Sequence, residues 1–364
     1  MLELKKEKCT GCGACNNACP IKCINMEEDE EGFLYPQVDF QKCTECGLCE
    51  KSCPAINIPV RENFKEPEVY AAWSLDDAVR ADSSSGGIFT ELSHKVLDDG
   101  GYVSGARYNT DNLVEHCLIN RREQLHELRQ SKYVQSETGL IFKDVKMLLE
   151  ENKTVMFTGT PCQSAGLLQY LDKKYDNLFL CDIVCHGVNS PMVYLKYFKE
   201  LEEEYSSRIK TINFRNKRNG WKEFGTSVIF ENGEEYFRSH KTDSFFKGFL
   251  ANLYLRRSCY NCQFKGFPRV SDITLADFWG VVLNNEKEIF KGISLILINS
   301  EKGKFYIEKI SNNISKMQKT LNDAMLKNPC MVKSVPMSTK RDLMFKALKK
   351  EINVENIICS IINY

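Results

Sequence analysis

Eight cysteines near the start of the chain constrain its folding most: Cys9, Cys12, Cys15 and Cys19, then Cys43, Cys46, Cys49 and Cys53. Each set is spaced C-x2-C-x2-C-x3-C and is followed by a proline, Pro20 or Pro54. Three thiolates two residues apart turn toward one point, while the fourth, one residue further on, points to the other set. The spacing therefore predicts two [4Fe-4S] clusters with crossed ligation. Cys9, Cys12, Cys15 and Cys53 would hold one, and Cys43, Cys46, Cys49 and Cys19 the other. Zinc sites usually present their ligands as two separated pairs and gain nothing from a crossed pattern.

This block resembles bacterial-type two-cluster ferredoxins, and the resemblance covers residues 1–58. The two sets repeat with a 34-residue offset, from Cys9 to Cys43, as a pseudo-twofold domain requires. Between them Phe33 to Phe40 alternates apolar and polar residues like a short strand. Cys23 falls outside both sets and reads as a small buried apolar residue. Residues 59–68 are charged and bounded by prolines, a linker in character, and a larger domain is expected over 69–364.

A chain of 364 residues is far longer than a ferredoxin, so most of it has another task. Lys plus Arg and Asp plus Glu are equal at 49 each, which leaves no global charge to recruit nucleic acid or an acidic membrane surface. Seventeen cysteines without a recognisable signal peptide point to a reducing cytoplasm, where disulfides are not expected. No run approaches the roughly 18 apolar residues of a membrane span. The apolar stretch Asn353 to Tyr364 reads as core.

Beyond residue 69 the pattern alternates strand and helix. Expected strands are Val69–Trp73, Tyr102–Tyr108, Leu113–Ile119, Lys153–Phe157 and Leu178–Val184; expected helices begin near Ile88, Glu137, Ala165 and Pro191. Ile209–Phe214, Thr226–Phe230 and Glu235–Arg238, with a turn at Asn232-Gly233, read as antiparallel strands. Ile273–Ala276 and Ile293–Ile298 are further strands, and helices should fill the rest. The fold class is mixed: α+β with an α/β core, a ferredoxin-like domain followed by a larger mixed-sheet domain.

Two Ser/Gly/Thr-rich turns stand at helix entrances, Ser83 to Gly87 and Thr158 to Thr160, where backbone amides and the helix dipole suit anionic groups. Such turns are also ordinary caps, and no G-x-G-x-x-G follows a strand. Five more cysteines, Cys162, Cys181, Cys185, Cys259 and Cys262, lie where strand ends and a C-x2-C pair can meet. Cys162, Cys185, Cys259 and Cys262 are the preferred ligands of a third [4Fe-4S] cluster, with Cys181 the alternative to Cys162; a zinc site or unligated thiols remain the other readings. Cys117, Cys330 and Cys359 read as core. His186, beside Cys185, is the one candidate for catalysis by an acid, against the plain alternative of a hydrogen-bonded structural histidine. His94, His116, His126 and His240 have no companions in the sequence.

Taken in order, Ser84-Ser85-Gly86-Gly87, Ser131-Lys132-Tyr133, Gly159-Thr160-Pro161-Cys162, Cys185-His186-Gly187, Phe214-Arg215-Asn216-Lys217 with Gly220-Trp221, Cys259-x2-Cys262, and Arg269-x2-Asp272 leading to Asp277-Phe278-Trp279-Gly280 resemble the coenzyme F420 hydrogenase/dehydrogenase beta-subunit family. Ala276 stands where that family often has glycine. The resemblance spans about residues 69–350 and implies FAD, a [4Fe-4S] cluster and hydride exchange with reduced coenzyme F420 or a similar carrier, with single electrons passing to or from a redox partner or ferredoxin. It places the flavin against Ser85, Gly86, Gly87, Lys132, Thr158, Gly159 and Thr160. Arg215, Lys217 and Arg269 are candidates for anionic coenzyme tails or for pairing with Asp272 or Asp277, and Trp221 and Trp279 for a pocket wall or for core. Two other readings stand beside it: an electron-transfer adaptor without a substrate site, and a ferredoxin-fed, flavin-dependent reductase of a small organic molecule.

Overall fold

The computed structural model describes residues 4–60, 62–350 and 352–362. In the N-terminal block β1 (Ile24–Glu28) and β2 (Leu34–Val38) form an antiparallel hairpin. The alternation at Phe33 to Phe40 indicates β2 alone. The helical turns Ala14–Ala18 and Leu48–Lys51 each begin after a glycine with positive φ, Gly13 at 74° and Gly47 at 74°. Glycine takes that conformation without a Cβ penalty, which lets the chain reverse between successive cysteines.

The larger part is built on an eight-stranded mixed sheet. Its strands are β3 (Glu68–Ser74), β4 (Tyr102–Tyr108), β5 (Val114–Ile119), β6 (Val155–Gly159), β7 (Leu178–Ile183), β11 (Ile273–Asp277), β12 (Ser294–Ile298) and β13 (Ile314–Lys319), in the order β13-β3-β12-β11-β7-β6-β4-β5. Strands β4, β6, β7 and β11 run parallel, while β5, β12 and β13 are antiparallel to their neighbours. Every residue of β12 is buried, as in a strand covered on both faces. Because β3 and β11 both run against β12, the carboxyl ends of β3, β4, β6, β7 and β11 share one edge. In open α/β sheets that edge is where ligands bind. A separate antiparallel sheet joins β8 (Ile209–Asn216), β9 (Gly225–Phe230) and β10 (Glu235–Ser239), and Gly233 makes the expected turn at φ 89°.

Two expectations are corrected. The helix foreseen from Glu137 starts at Ile141, because Glu137 bridges to Glu115 beside β5 and the Thr138 hydroxyl donates to the Cys12 carbonyl at 3.0 Å. Helices do not fill the C-terminal third, since Ile314–Lys319 is an edge strand paired with β3. The apolar tail is core as expected: Val354, Ile357, Ile358 and Ile361 of the Val354–Ile362 helix are buried, and Asn363 and Tyr364 lie outside the described residues. The 59–68 stretch is laid against the large sheet, Asn63 donating to the Arg269 and Ser271 carbonyls and the Phe64 amide to the Asn299 carbonyl; Arg61 lies outside the described residues. Among the described residues no helix is long and apolar enough to cross a membrane.

The N-terminal block is clamped to the rest through polar contacts. Glu31 receives both Nη atoms of Arg341 and one from Arg257, and all but Arg257 are buried. Asn17 donates to the Gly139 carbonyl at 2.8 Å and Gln135 to that of Thr10 at 3.1 Å.

Candidate functional site

Three groups of thiols follow one another through the molecule. Cys9, Cys12, Cys15 and Cys53 line one cavity, and Cys19, Cys43, Cys46 and Cys49 line a second, both open to solvent at the mouth. The short loops bring together the crossed sets that the spacing anticipates. Cys9, Cys12 and Cys53 are buried, whereas Cys46 is exposed, so the first cavity is the inner one and the second lies at the surface. Cys23 is buried, as its plain reading expects, and in addition its sulfur lies 3.4 Å from that of Cys19 and it lines the outer cavity. The Cys23 amide also donates to the Cys19 sulfur at 3.2 Å. The sequence signal is the four-residue separation across Pro20, which folds one thiol back onto the other.

The third group forms at the carboxyl edge of the parallel strands. After β6, Thr160 caps the Pro161–Leu171 helix: the Gln163 side chain accepts from both the amide and the hydroxyl of Thr160, the Gln163 amide donates to the Thr160 carbonyl, and Pro161 takes the first helical position. This fixes Cys162 in the first turn. Cys185 follows β7, and Cys259 and Cys262 come from the Arg257–Asn261 turn. Burial and then the neighbouring Cys262, Cys185 and Cys259 hold the Cys162 thiol well above the ordinary range. Burial, and repulsion from Cys259, push Cys185 up to about 12; Cys259 is pushed to about 11, chiefly by burial. Thiols so enclosed would ionise only with a cationic group among them, and all-sulfur donors suit iron-sulfur or zinc chemistry. Cys181 stands apart. It is buried within β7 among Phe179, Ile273 and Ile296, and its ionic neighbours are Asp182 and Asp272.

Among the described residues no group of three or more His, Cys, Asp or Glu side chains is arranged to hold a metal ion. The two N-terminal sets instead ring two separate hollows, one for each crossed set.

Cys330 is half-buried beside this third group, its sulfur 3.6 Å from Nδ1 of His186. His186 meets Asn252 through Nε2 at 2.7 Å and packs on Phe249, so both ring nitrogens are engaged within the protein. That arrangement is the structural role set beside the catalytic one.

The Ser/Gly motifs gather along the same sheet edge. The Ser85 hydroxyl donates to the Ile293 carbonyl at 2.7 Å, and the Gly86 amide to Ser294. A Cβ on Gly86 would come within 2.5 Å of the Ala72 carbonyl, so that glycine admits the loop against β3 and β12. Gly87 has φ 89° and opens the Ile88–Asp98 helix; its carbonyl accepts from the Thr90 and Glu91 amides, which leaves Ile88 and Phe89 to present the open amides of the first turn. Ser131 donates to the Ser84 hydroxyl from both its amide and its side chain, which brings Lys132 to this edge. The Lys132 ammonium donates to the Arg129 and Gln130 carbonyls and lies 5.4 Å from the Tyr108 ring centre; burial pulls its pKa down to about 7. The Thr158 hydroxyl bonds the Ser104 carbonyl at 2.6 Å, and Gly159 leads into the Thr160 cap.

Arg215 and Lys217 face inward. Arg215 grips Asp277 with two bonds, 2.6 and 2.9 Å, over the faces of Phe224 and Trp279. Asp277 also accepts from the Trp221 indole at 2.6 Å, and Trp221 stacks on Trp279 with centroids 4.6 Å apart. Trp221 is thus core, and Arg215 takes the pairing alternative. The Lys217 ammonium donates to the carbonyls of Arg80, Ser85 and Lys291 and so braces the Ser/Gly loop. Arg269 is buried 3.9 Å from Asp182, not from Asp272 or Asp277.

His116 has no companions in the sequence but several in the fold. Its Nε2 lies 3.0 Å from the Thr158 carbonyl and its Nδ1 3.0 Å from the Ser136 hydroxyl, which Gln163 joins at 2.9 Å. Burial lowers its pKa to about 4, so the ring is neutral at ordinary pH and ties β5 to the turn that holds Cys162. Only the fold brings these residues together.

Residues 152–323 match the family model for the C terminus of the coenzyme F420 hydrogenase/dehydrogenase beta subunit, and residues 8–57 match that of a 4Fe-4S dicluster domain. Among solved structures, the fold is similar to a chain of the F420-reducing [NiFe] hydrogenase complex from Methanosarcina barkeri. The TM-score is 0.50 at 16% identity, over 82% of this chain and 93% of that one. No curated protein sequence matches.

Proposed function

We propose that this chain, whose residues 152–323 belong to the coenzyme F420 hydrogenase/dehydrogenase beta-subunit family and whose residues 8–57 form a 4Fe-4S dicluster domain, is an iron-sulfur flavoprotein that couples a hydride carrier to one-electron redox partners. When bound, FAD supplies exchange between two-electron and one-electron chemistry, and [4Fe-4S] clusters supply single-electron storage. Cys162, Cys185, Cys259 and Cys262 would hold the cluster nearest the flavin. Cys9, Cys12, Cys15 and Cys53 would hold the inner dicluster site, and Cys43, Cys46, Cys49 and Cys19 the outer one. Ser85, Gly86, Gly87, Lys132, Thr158, Gly159 and Thr160 would border the flavin, the open helix amides and the Lys132 ammonium meeting its phosphates. Reduced coenzyme F420 or a similar carrier is the proposed hydride substrate, and a ferredoxin or other redox protein the partner at the outer end.

The observation that carries this reading is the continuity of the thiol groups. Cys162 and Gly166 lie four residues apart, on one face of the Pro161–Leu171 helix, and a Cβ on Gly166 would come within 2.9 Å of the Cys12 sulfur. One helical turn therefore separates the group at the sheet edge from the inner dicluster set. The outer set beyond it ends at the exposed Cys46. An ordered path from the sheet edge to the surface is what an electron-transferring oxidoreductase needs.

The Ser85 and Thr158 hydroxyls donate to carbonyls of the protein, Ile293 and Ser104, and this internal bonding favours the adaptor alternative. An anaerobic bleaching assay separates the two, with reduced deazaflavin, NADH, NADPH and reduced ferredoxin tested in parallel. Bleaching of bound flavin by one hydride donor supports the oxidoreductase. A protein with clusters that none of the donors bleaches is the adaptor.

A further inference from the structure

Arg256 is the side chain that joins the two halves of the path, and neither dicluster motif includes it. Its backbone belongs to the segment holding the third thiol group: the Cys259 amide donates to the Arg256 carbonyl, and the Arg256 amide to the Val188 carbonyl. Its side chain leaves that segment and enters the N-terminal domain. Nε donates to the Cys9 carbonyl at 2.8 Å, Nη2 to the Leu34 carbonyl at 2.9 Å, and Nη1 to the Gln135 side chain at 2.9 Å. Nη2 also reaches the Cys9 sulfur at 3.6 Å. The guanidinium lies 4.1 Å from the Tyr35 ring centre and is wholly buried. Gly11 makes room for it, as a Cβ there would meet Nη1 at 2.8 Å.

Among the described residues, no carboxylate forms an ion pair with Arg256. A buried cation without an anion is costly, by several kcal/mol on the order of a desolvated ion. Carbonyls and a ring face offset part of that cost, but they do not neutralise the charge. The anionic group nearest to hand is the thiolate set that the guanidinium already touches through Cys9. Hydrogen bonds and charge at the sulfurs of an iron-sulfur cluster set its reduction potential. A donor that is itself cationic bonds more strongly to the form carrying more negative charge.

We propose that Arg256 is a positioning residue that raises the reduction potential of the inner dicluster centre by bonding the Cys9 sulfur, so that this centre accepts electrons from the group around Cys259. The inference rests on the reading that Cys9, Cys12, Cys15 and Cys53 hold a cluster. Beside the outer centre the neighbouring cation, Lys42, is exposed and paired with Asp39, so the outer signal serves as the internal reference.

The test is an anaerobic potentiometric titration of the full chain followed by electron paramagnetic resonance. In Arg256→Gln, the reduced-to-oxidised ratio of one dicluster signal at fixed poise falls at least about tenfold, a downward shift of about 59 mV for a one-electron couple. The other signal stays in place. Arg256→Lys recovers part of the shift, and Gln135→Leu, which removes a docking bond without changing charge, leaves both signals unmoved. A change under about twofold in Arg256→Gln, or an equal shift in Gln135→Leu, overturns the proposal. Should Arg256→Gln not fold, wild-type protein labelled with 15N-arginine decides. A guanidinium nitrogen coupling on the reduced inner centre is expected, and its absence overturns the assignment. Wild-type protein without two dicluster signals would instead overturn the ligand reading beneath it.

Discussion

Lys132 offers the sharpest test of the proposed flavin site. Its ammonium rests on two carbonyls and a ring face, with no ion pair among the described residues, and burial brings its pKa to about 7. An anionic phosphate placed against it favours the protonated form, so binding above pH 7 must take up a proton. If the bound state holds that proton, FAD affinity falls about tenfold per pH unit above about 7, reaching about 100-fold, or about 2.7 kcal/mol, at about pH 9 relative to about pH 6. In the unliganded chain the sign is the reverse for stability. Lys132 has a folded pKa below its unfolded value, so the penalty of burying its charge is fully present below pH 7 and is lost as pH rises toward 10.5. Lys217, also brought to about 7 by burial, titrates in the same window, but it faces three carbonyls under the loop. The assay is equilibrium titration of flavin fluorescence into flavin-free protein between about pH 6 and 9, with wild type, Lys132→Met and Lys217→Met compared. Wild type and Lys217→Met should share the slope, and Lys132→Met should bind weakly with none. A flat wild-type profile, or an undiminished slope in Lys132→Met, refutes the placement of Lys132 against the phosphates.

The third thiol group predicts that Cys162→Ala loses about four irons per chain while Cys181→Ala keeps the full complement, as measured by iron assay after anaerobic reconstitution; equal losses would return Cys181 to the ligand set. Because the Cys23 sulfur lies 3.4 Å from that of Cys19 in one cavity, Cys19→Ala should keep the outer cluster's paramagnetic signal, and the Cys19→Ala, Cys23→Ala double variant should lose it. Glu31→Gln leaves the buried Arg341 guanidinium without its carboxylate and should destabilise the chain by about 3–5 kcal/mol in denaturant melts. A loss below about 1 kcal/mol would mean that the clamp between the N-terminal block and the C-terminal helices is dispensable.

How far the sequence foretells this arrangement depends on how local each signal is. The eight N-terminal cysteines are legible because two-residue gaps leave the thiols little choice of direction, and the cavities group them in the crossed sets anticipated. The parallel strands are legible as short apolar runs, since β6, β7 and β12 are covered on both faces. Strand β13 is not: Ile-Ser-Lys-Met-Gln-Lys carries its polar residues on an exposed sheet edge, and only the pairing with β3 identifies it. The helix after Ser136 begins later than its pattern suggests because its approach is held by Cys12, more than a hundred residues away in sequence. Arg215, Lys217 and Arg269 show the same limit. A basic residue near a nucleotide-like motif suggests an anionic ligand, yet Asp277, a set of loop carbonyls and Asp182 reach them first. His116 and Arg256 have no local signal, since their partners come from distant elements.

The proposed function requires one chain to carry a flavin and three iron-sulfur centres along one path. Iron and flavin assayed together on anaerobically purified, full-length protein test it most directly. Bound FAD with about twelve irons per chain, four for each [4Fe-4S] cluster, is the expected result. About eight irons and no flavin would contradict it and leave only the dicluster domain fused to a domain of other purpose.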